Sequence, residues 1–86
     1  MEIDYLREFT VLARQLNYRE AAAELHLSQS TLSRHITALE ALYGVPLFQR
    51  DRHAVHLTDA GVFLLDYAKG IWDQYSLSRE HMQRLF

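Results

Sequence analysis

The 86 residues contain no cysteine, which excludes a disulfide framework, a thiol nucleophile and a thiolate metal site. One proline and three glycines leave little to interrupt regular structure, and no internal repeat, low-complexity segment or interdomain linker is visible. No apolar run approaches the ~20 residues of a transmembrane helix. The opening Met1-Glu2-Ile3-Asp4 is acidic and begins an amphipathic pattern, unlike a secretory leader, so a soluble, cytoplasmic chain is expected. Positive charge is also scarce. Nine Lys and Arg against eleven Asp and Glu give a net charge of −2, whereas nucleic-acid binders usually carry a basic footprint. Catalytic constellations are missing too. The Asp and Ser residues form no triad or paired carboxylates. His53 and His56, three apart on an expected hairpin, fall on opposite faces with no third ligand. No enzyme, cofactor or metal site is expected.

What remains is an ordinary globular composition, 49% hydrophobic and 23% charged, which argues against disorder. The chain is short enough to form one small domain whose single core is only modestly stable. The richest segment is Ala21 to Gly44, AAAELHLSQSTLSRHITALEALYG. Leu32, Ile36, Leu39 and Tyr43 recur at +4, +3 and +4 and therefore share one helical face. Gln29, Ser30, Ser33, Arg34 and Thr37 fall on the opposite face. A merely solvated face would carry Lys and Glu. These groups suit base edges instead: Gln pairs with adenine, Arg with guanine, and Ser or Thr with either. Ser28 is the expected N-cap and Gly44 the C-terminal residue of positive φ, with Pro46 preventing continuation. Ahead of this helix, Ala21, Ala22 and Leu25 form the apolar side of another, opened by Asn17-Tyr18. The connection His26-Leu27-Ser28 has the length a helix-turn-helix needs.

The flanks complete a mainly α architecture. A first helix is predicted from Ile3 to Gln15, burying Leu6, Phe9, Leu12, Ala13 and Leu16. Two short strands, 47–50 and 55–57, enclose the polar tip Asp51-Arg52-His53-Ala54. Thr58 is the next N-cap, with Asp59 suited to a helix's first turn. The helix it opens runs to near Phe86, about 27 residues and roughly 40 Å at 1.5 Å per residue. Leu64, Ala68, Ile71, Tyr75, Ser78, Met82 and Leu85 recur at 4-3 spacing along it, a heptad-like seam that Leu65 and Trp72 widen. Left exposed, such a seam is an aggregation risk, so self-association is expected through Leu64, Leu65, Ala68, Ile71, Trp72, Tyr75, Met82 and Leu85. The segment from Ser28 to Thr58 carries three arginines against two acids and three of the five histidines, so the cations gather where DNA would lie. One copy makes few phosphate contacts and should bind weakly, which again favours a dimer.

The pieces Ala21-Ala22, Leu27-Ser28-Gln29, Leu32-Ser33-Arg34, Leu39-Glu40, Gly44-Val45, Leu47-Phe48, Arg50 and Leu57-Thr58-Asp59-Ala60-Gly61 together resemble the N-terminal domain of LysR-type transcriptional regulators. The resemblance runs without a gap from about Tyr5 to Ala68. It implies a winged helix-turn-helix at 1–58 and a linker helix at 59–86 that pairs antiparallel with its copy. It also implies a ligand-sensing domain beyond, so the chain is expected to be a fragment of a longer bacterial regulator. Arg34 is then the leading base contact. Gln29 and Ser33 are base or phosphate contacts, with Thr37 on the same face. Ser30 and Thr31 position phosphates, Thr31 also being available for capping, and His35 is either a backbone contact or a surface residue. Arg50 and Arg52 on the wing reach flanking phosphates or a narrow minor groove, which attracts arginine. Two departures stand out. The family often places glycine then arginine at the tip where this chain has Arg52-His53, which would shift or weaken the minor-groove contact, and it commonly has proline where Ser30 stands.

The expected function is sequence-specific binding of double-stranded DNA. Two copies would read an interrupted palindrome in a promoter, with half-sites about one helical turn, ~34 Å, or a multiple apart. The homodimer is placed on the C-terminal helix, with a tetramer of the full-length protein left open. A small-molecule effector would enter only through the further domain. The alternative is a helix-mediated protein–protein interaction module that does not bind DNA, which would fit the acidic pI and the apolar seam.

Overall fold

The apolar residues of the first helix recur every three to four positions, and in the computed structural model, which describes residues 2–51 and 54–86, that stripe forms the centre of the core. Helix α1 spans Glu2–Gln15, and Leu6, Phe9, Val11, Leu12 and Ala13 are all buried. Leu16, expected in the same stripe, lies outside the helix. It takes a left-handed conformation, φ 51°, because the chain must reverse within two residues, and its side chain is 42% exposed.

Asn17 then caps α2 (Tyr18–Leu25), its side chain accepting from the Glu20 amide. That helix ends at His26, also left-handed, whose N–H reaches the carbonyls of Ala22 and Ala23. The alanines Ala21 and Ala22 are fully or nearly fully buried, which lets α2 pack closely against its neighbours. Helix α3 (Gln29–Tyr43) starts at Ser28, whose Oγ accepts from the Thr31 amide, and stops at Gly44 with φ 71°. A side-chain cap of this kind stabilises a helix by about 1 kcal/mol. Leu32, Ile36 and Leu39 are buried as predicted, each removing a side chain from water for about 1.5–3 kcal/mol. Tyr43, placed on that face by spacing, is instead 44% exposed, since the helix there has run past the core.

Strands β1 (Phe48–Arg50) and β2 (Val55–Leu57) pair antiparallel, Phe48 facing Leu57, Gln49 facing His56 and Arg50 facing Val55. Leu47, expected inside the first strand, precedes it and is buried in the core. Glu40 of α3 pins the hairpin base: its Oε2 accepts from the Leu47 amide at 2.7 Å and the Phe48 amide at 3.3 Å. The Phe48 ring packs 5.4 Å from that of Phe9.

Helix α4 (Asp59–Leu85) is capped by Thr58, which accepts from the Gly61 amide and donates to the Pro46 carbonyl at 2.7 Å. Its first turns share the core with α1 through Leu64 and Ala68. The remainder extends onward, giving the molecule its 49 × 25 × 19 Å dimensions. No buried polar side-chain atom among the described residues lacks a hydrogen-bond partner. Among the described residues, no helix is long and apolar enough to cross a membrane.

Candidate nucleic-acid interface

Capping and packing together decide which face of α3 is presented. With Leu32, Ile36 and Leu39 committed to the core, Gln29, Ser30, Arg34 and Thr37 are exposed and Ser33 is half-buried. Gln29 and Thr37 make no side-chain hydrogen bond within the described residues, so their polar atoms are available to a ligand. Among the described residues, the one hydrogen bond of the Arg34 side chain is to the Thr31 hydroxyl, 3.4 Å away, too long to hold it firmly. The hydroxyls at the helix start are less available. Ser28 Oγ lies 2.8 Å from Thr31 Oγ1 and 3.2 Å from Ser30 Oγ, so Thr31 serves the cap.

The hairpin stands beside this face. Arg50 occupies the end of β1, and side chains alternate along a strand. It therefore shares the side of buried Phe48, while Gln49 points away. Its guanidinium carbon lies 3.8 Å from the centroid of the Tyr18 ring, and Nη2 donates to Ser33 Oγ at 3.1 Å. One wing residue thus meets α2 and α3 at once. The tip is closed by Asp51, whose amide donates to the Ala54 carbonyl and whose Oδ1 accepts from the Ala54 amide at 2.8 Å. Arg52 and His53 lie outside the described residues. His56 is exposed on β2, 3.9 Å from the Asp51 carboxylate.

On the opposite flank of α3, His35 faces inward. Nδ1 sits 2.7 Å from Glu8 Oε1, and the imidazole stacks on Tyr5 at 4.2 Å. Glu8 is the one buried charged residue among those described. Neither Glu8 nor Tyr18 is singled out by the sequence patterns above. The signal for Glu8 was its place on one strip with Tyr5 and Leu12, three residues back and four ahead. For Tyr18 it was a lone aromatic on the first turn of a short helix.

The expected seam along α4 divides. Leu64 and Ala68 are buried in the chain's own core, and Leu65 is partly buried against it, so Leu64 and Ala68 are already occupied within the chain. Trp72 is half-buried with Arg7 stacked over its ring at 5.7 Å, and Tyr75 is half-buried beside it. The exposed large apolar residues from Thr58 onward are Val62, Phe63, Tyr67, Ile71, Leu77, Met82, Leu85 and Phe86. A straight helix turns relative to a strict heptad, so residues in register with the core at its start leave it further on. Phe63, Tyr67 and Ile71 border an open groove of about 410 Å³ with Tyr43, Val45 and Leu47.

The comparisons with known proteins agree with this geometry. Residues 3–62 match the family described as bacterial regulatory helix-turn-helix protein, lysR family. The Hca operon transcriptional activator HcaR of Escherichia coli (strain K12) is 46% identical over 74 residues, covering 86% of this chain. The chain spans about a quarter of that relative's length, 25%. Among solved structures, a full-length OxyR variant from Pseudomonas aeruginosa superposes with a TM-score of 0.93 at 34% identity, covering 99% of this chain and 29% of that one. The CbnR DNA-binding domain in complex with DNA gives a TM-score of 0.90 at 34% identity, covering 98% and 97%. The matched family is one of transcriptional regulators. The fold is one already seen on DNA in the CbnR domain, and the chain belongs to the lysR family of bacterial regulatory helix-turn-helix proteins as its DNA-binding domain.

Proposed function

We propose that this chain reads a promoter operator as a homodimer, inserting α3 into the major groove with Arg34, Gln29 and Thr37 over base edges. Ser30, Ser33 and Arg50 lie toward the sugar-phosphate backbone, with Arg52 and His53 assigned to the wing tip. Residues 1–58 form the reading unit and 59–86 the linker helix. Dimerisation uses the exposed strip of α4, centred on Tyr67, Ile71, Met82 and Leu85, because an unpaired apolar strip of that length is costly in water. The operator is an interrupted palindrome, the protein is cytoplasmic, and a small-molecule effector acts through a further domain of the full-length regulator.

The observation that carries this reading is the α3 face itself. It holds one arginine and uncharged hydrogen-bonding groups, it is exposed, and it is flanked by a braced wing. The test is selection of bound duplexes from a random pool at low salt, with Arg34→Ala in parallel. A two-fold symmetric motif that the variant loses supports the reading. No enrichment by the wild-type chain overturns it and favours an interaction module without DNA binding.

A further inference from the structure

Arg50 is exposed, yet it does not extend toward solvent. Its guanidinium carbon lies over the Tyr18 ring at 3.8 Å from the centroid, and the guanidinium gives one N–H to Ser33 Oγ. A guanidinium carries five N–H donors in one plane, so stacking occupies its face, Ser33 takes one donor, and most of the edge stays available. An arginine fixed in this way has little rotamer freedom left to lose on binding, and that loss normally costs affinity. Tyr18 is held in turn: it is the first residue of α2, set by the Asn17 cap, and its ring packs against the core. The chain has few cations, so the readiness of each one counts.

We propose that Tyr18 is a positioning residue for DNA binding, acting through Arg50, which it holds against Ser33 as a pre-set phosphate ligand at the junction of α2, α3 and the wing. This inference rests on the DNA-reading function proposed above. It assigns Tyr18 a role no base or phosphate contact of its own requires, because the hydroxyl takes no part in the stack. Cation–π pairing supplies the order, so the aromatic face is needed and the oxygen is not.

The experiment measures affinity of the 86-residue chain for a labelled duplex carrying the motif recovered from the random pool, across a salt series, with melting midpoints alongside. Tyr18→Phe is expected to bind within about twofold of wild type, and Tyr18→Leu about three- to thirtyfold more weakly, the range a cation–π contact spans. Arg50→Ala should lower the slope of log affinity against log salt by about 0.9, one phosphate contact. Adding Tyr18→Leu to Arg50→Ala should then cost nothing further. Arg50→Lys, an exposed change that leaves the core untouched, should keep the salt slope and still weaken binding, because lysine has the charge without the planar fork.

Equal losses from Tyr18→Leu with and without Arg50 would overturn the inference. So would a Tyr18→Phe loss as large as that of Tyr18→Leu, or wild-type affinity in Arg50→Lys. A wild-type chain that binds no duplex overturns the DNA-reading function itself, whereas wild-type binding with these variant results overturns only the role of Tyr18.

Discussion

Glu8 of α1 and His35 of α3 meet at 2.7 Å between Oε1 and Nδ1, with Tyr5 stacked on the imidazole. The carboxylate is nearly inaccessible to water, so the pair ties the back of the reading helix to the core at its middle turn. The front of the same helix is the exposed polar face that we propose reads DNA. Removing one partner of a buried hydrogen bond leaves the other unsatisfied, which costs about 1–3 kcal/mol. Glu8→Ala and His35→Ala should each lower the free energy of unfolding in urea by that order. The double variant should lose less than the two losses added, because the residues share one contact. Additive losses would show that the pair is incidental.

Arg34 has no firm partner among the described residues and stands in the middle of the exposed face. Arg34→Ala should cost ~1–3 kcal/mol of binding and relax specificity at one position in each half-site. Binding to a panel of single-base operator variants checks this. A uniform loss across the panel would reassign Arg34 to a phosphate.

Gly61 lies where α4 crosses the base of the wing. A Cβ added there would sit 2.3 Å from the Leu47 carbonyl oxygen and 2.8 Å from Leu57 Cδ2. The nearer obstacle is backbone and cannot rotate away. Gly61→Ala should destabilise the fold by ~1–3 kcal/mol, the usual cost of overpacking, despite alanine's better helix propensity. Thermal melting decides it, and an unchanged midpoint would mean that α4 shifts freely against the wing.

Ile71 belongs to the exposed strip of α4 and is not one of the buried core residues. Ile71→Glu should shift the chain to monomer in sedimentation velocity and weaken DNA binding without lowering monomer stability. A variant that sediments as a monomer but binds as tightly as wild type would separate dimerisation from DNA binding. Trp72 is a poorer probe, since Arg7 stacks on it within the same chain.

Glu24 joins α2 to α1, accepting from Gln15 Nε2 at 2.8 Å and pairing with Arg14. The Gln15 hydrogen bond, and then the Arg14 hydrogen bond, hold its carboxyl below the ordinary 4.5. A depressed native value means the unfolded chain binds the proton more readily. The stabilisation is therefore complete above about 4.5 and fades as pH falls through the lower native value. Glu24→Gln should therefore lower the plateau above about 4.5 slightly, since an exposed pair is weak, and meet the wild-type stability–pH curve in acid, which flattens the acid limb. An acid limb of unchanged slope would show that Glu24 has no part in it.

The elements themselves were legible in the sequence because local rules govern them. Asn17, Ser28 and Thr58 each cap the helix that follows, and Gly44 ends α3 in the left-handed region as its position demands. The inward face of α3 follows from the spacing of Leu32, Ile36 and Leu39, and its outward face follows from what remains. Where the reading erred, the cause was tertiary. Leu16 left its helix to make a two-residue reversal, and Leu47 went to the core ahead of its strand. Packing likewise placed Leu64 and Ala68 in the chain's own core.

The chain's own order of residues thus determined a helix-turn-helix, a hairpin, a long capped helix and the polar face of α3, since propensity, capping and periodicity act over a few residues and need no partner. Tertiary structure alone decided that Arg50 lies on Tyr18 and Ser33, that Glu8 is buried against His35, and which edge of α4 remains apolar and exposed. The first two join residues 17 to 32 positions apart. No local pattern encodes such a distance, because it is set by how whole elements pack.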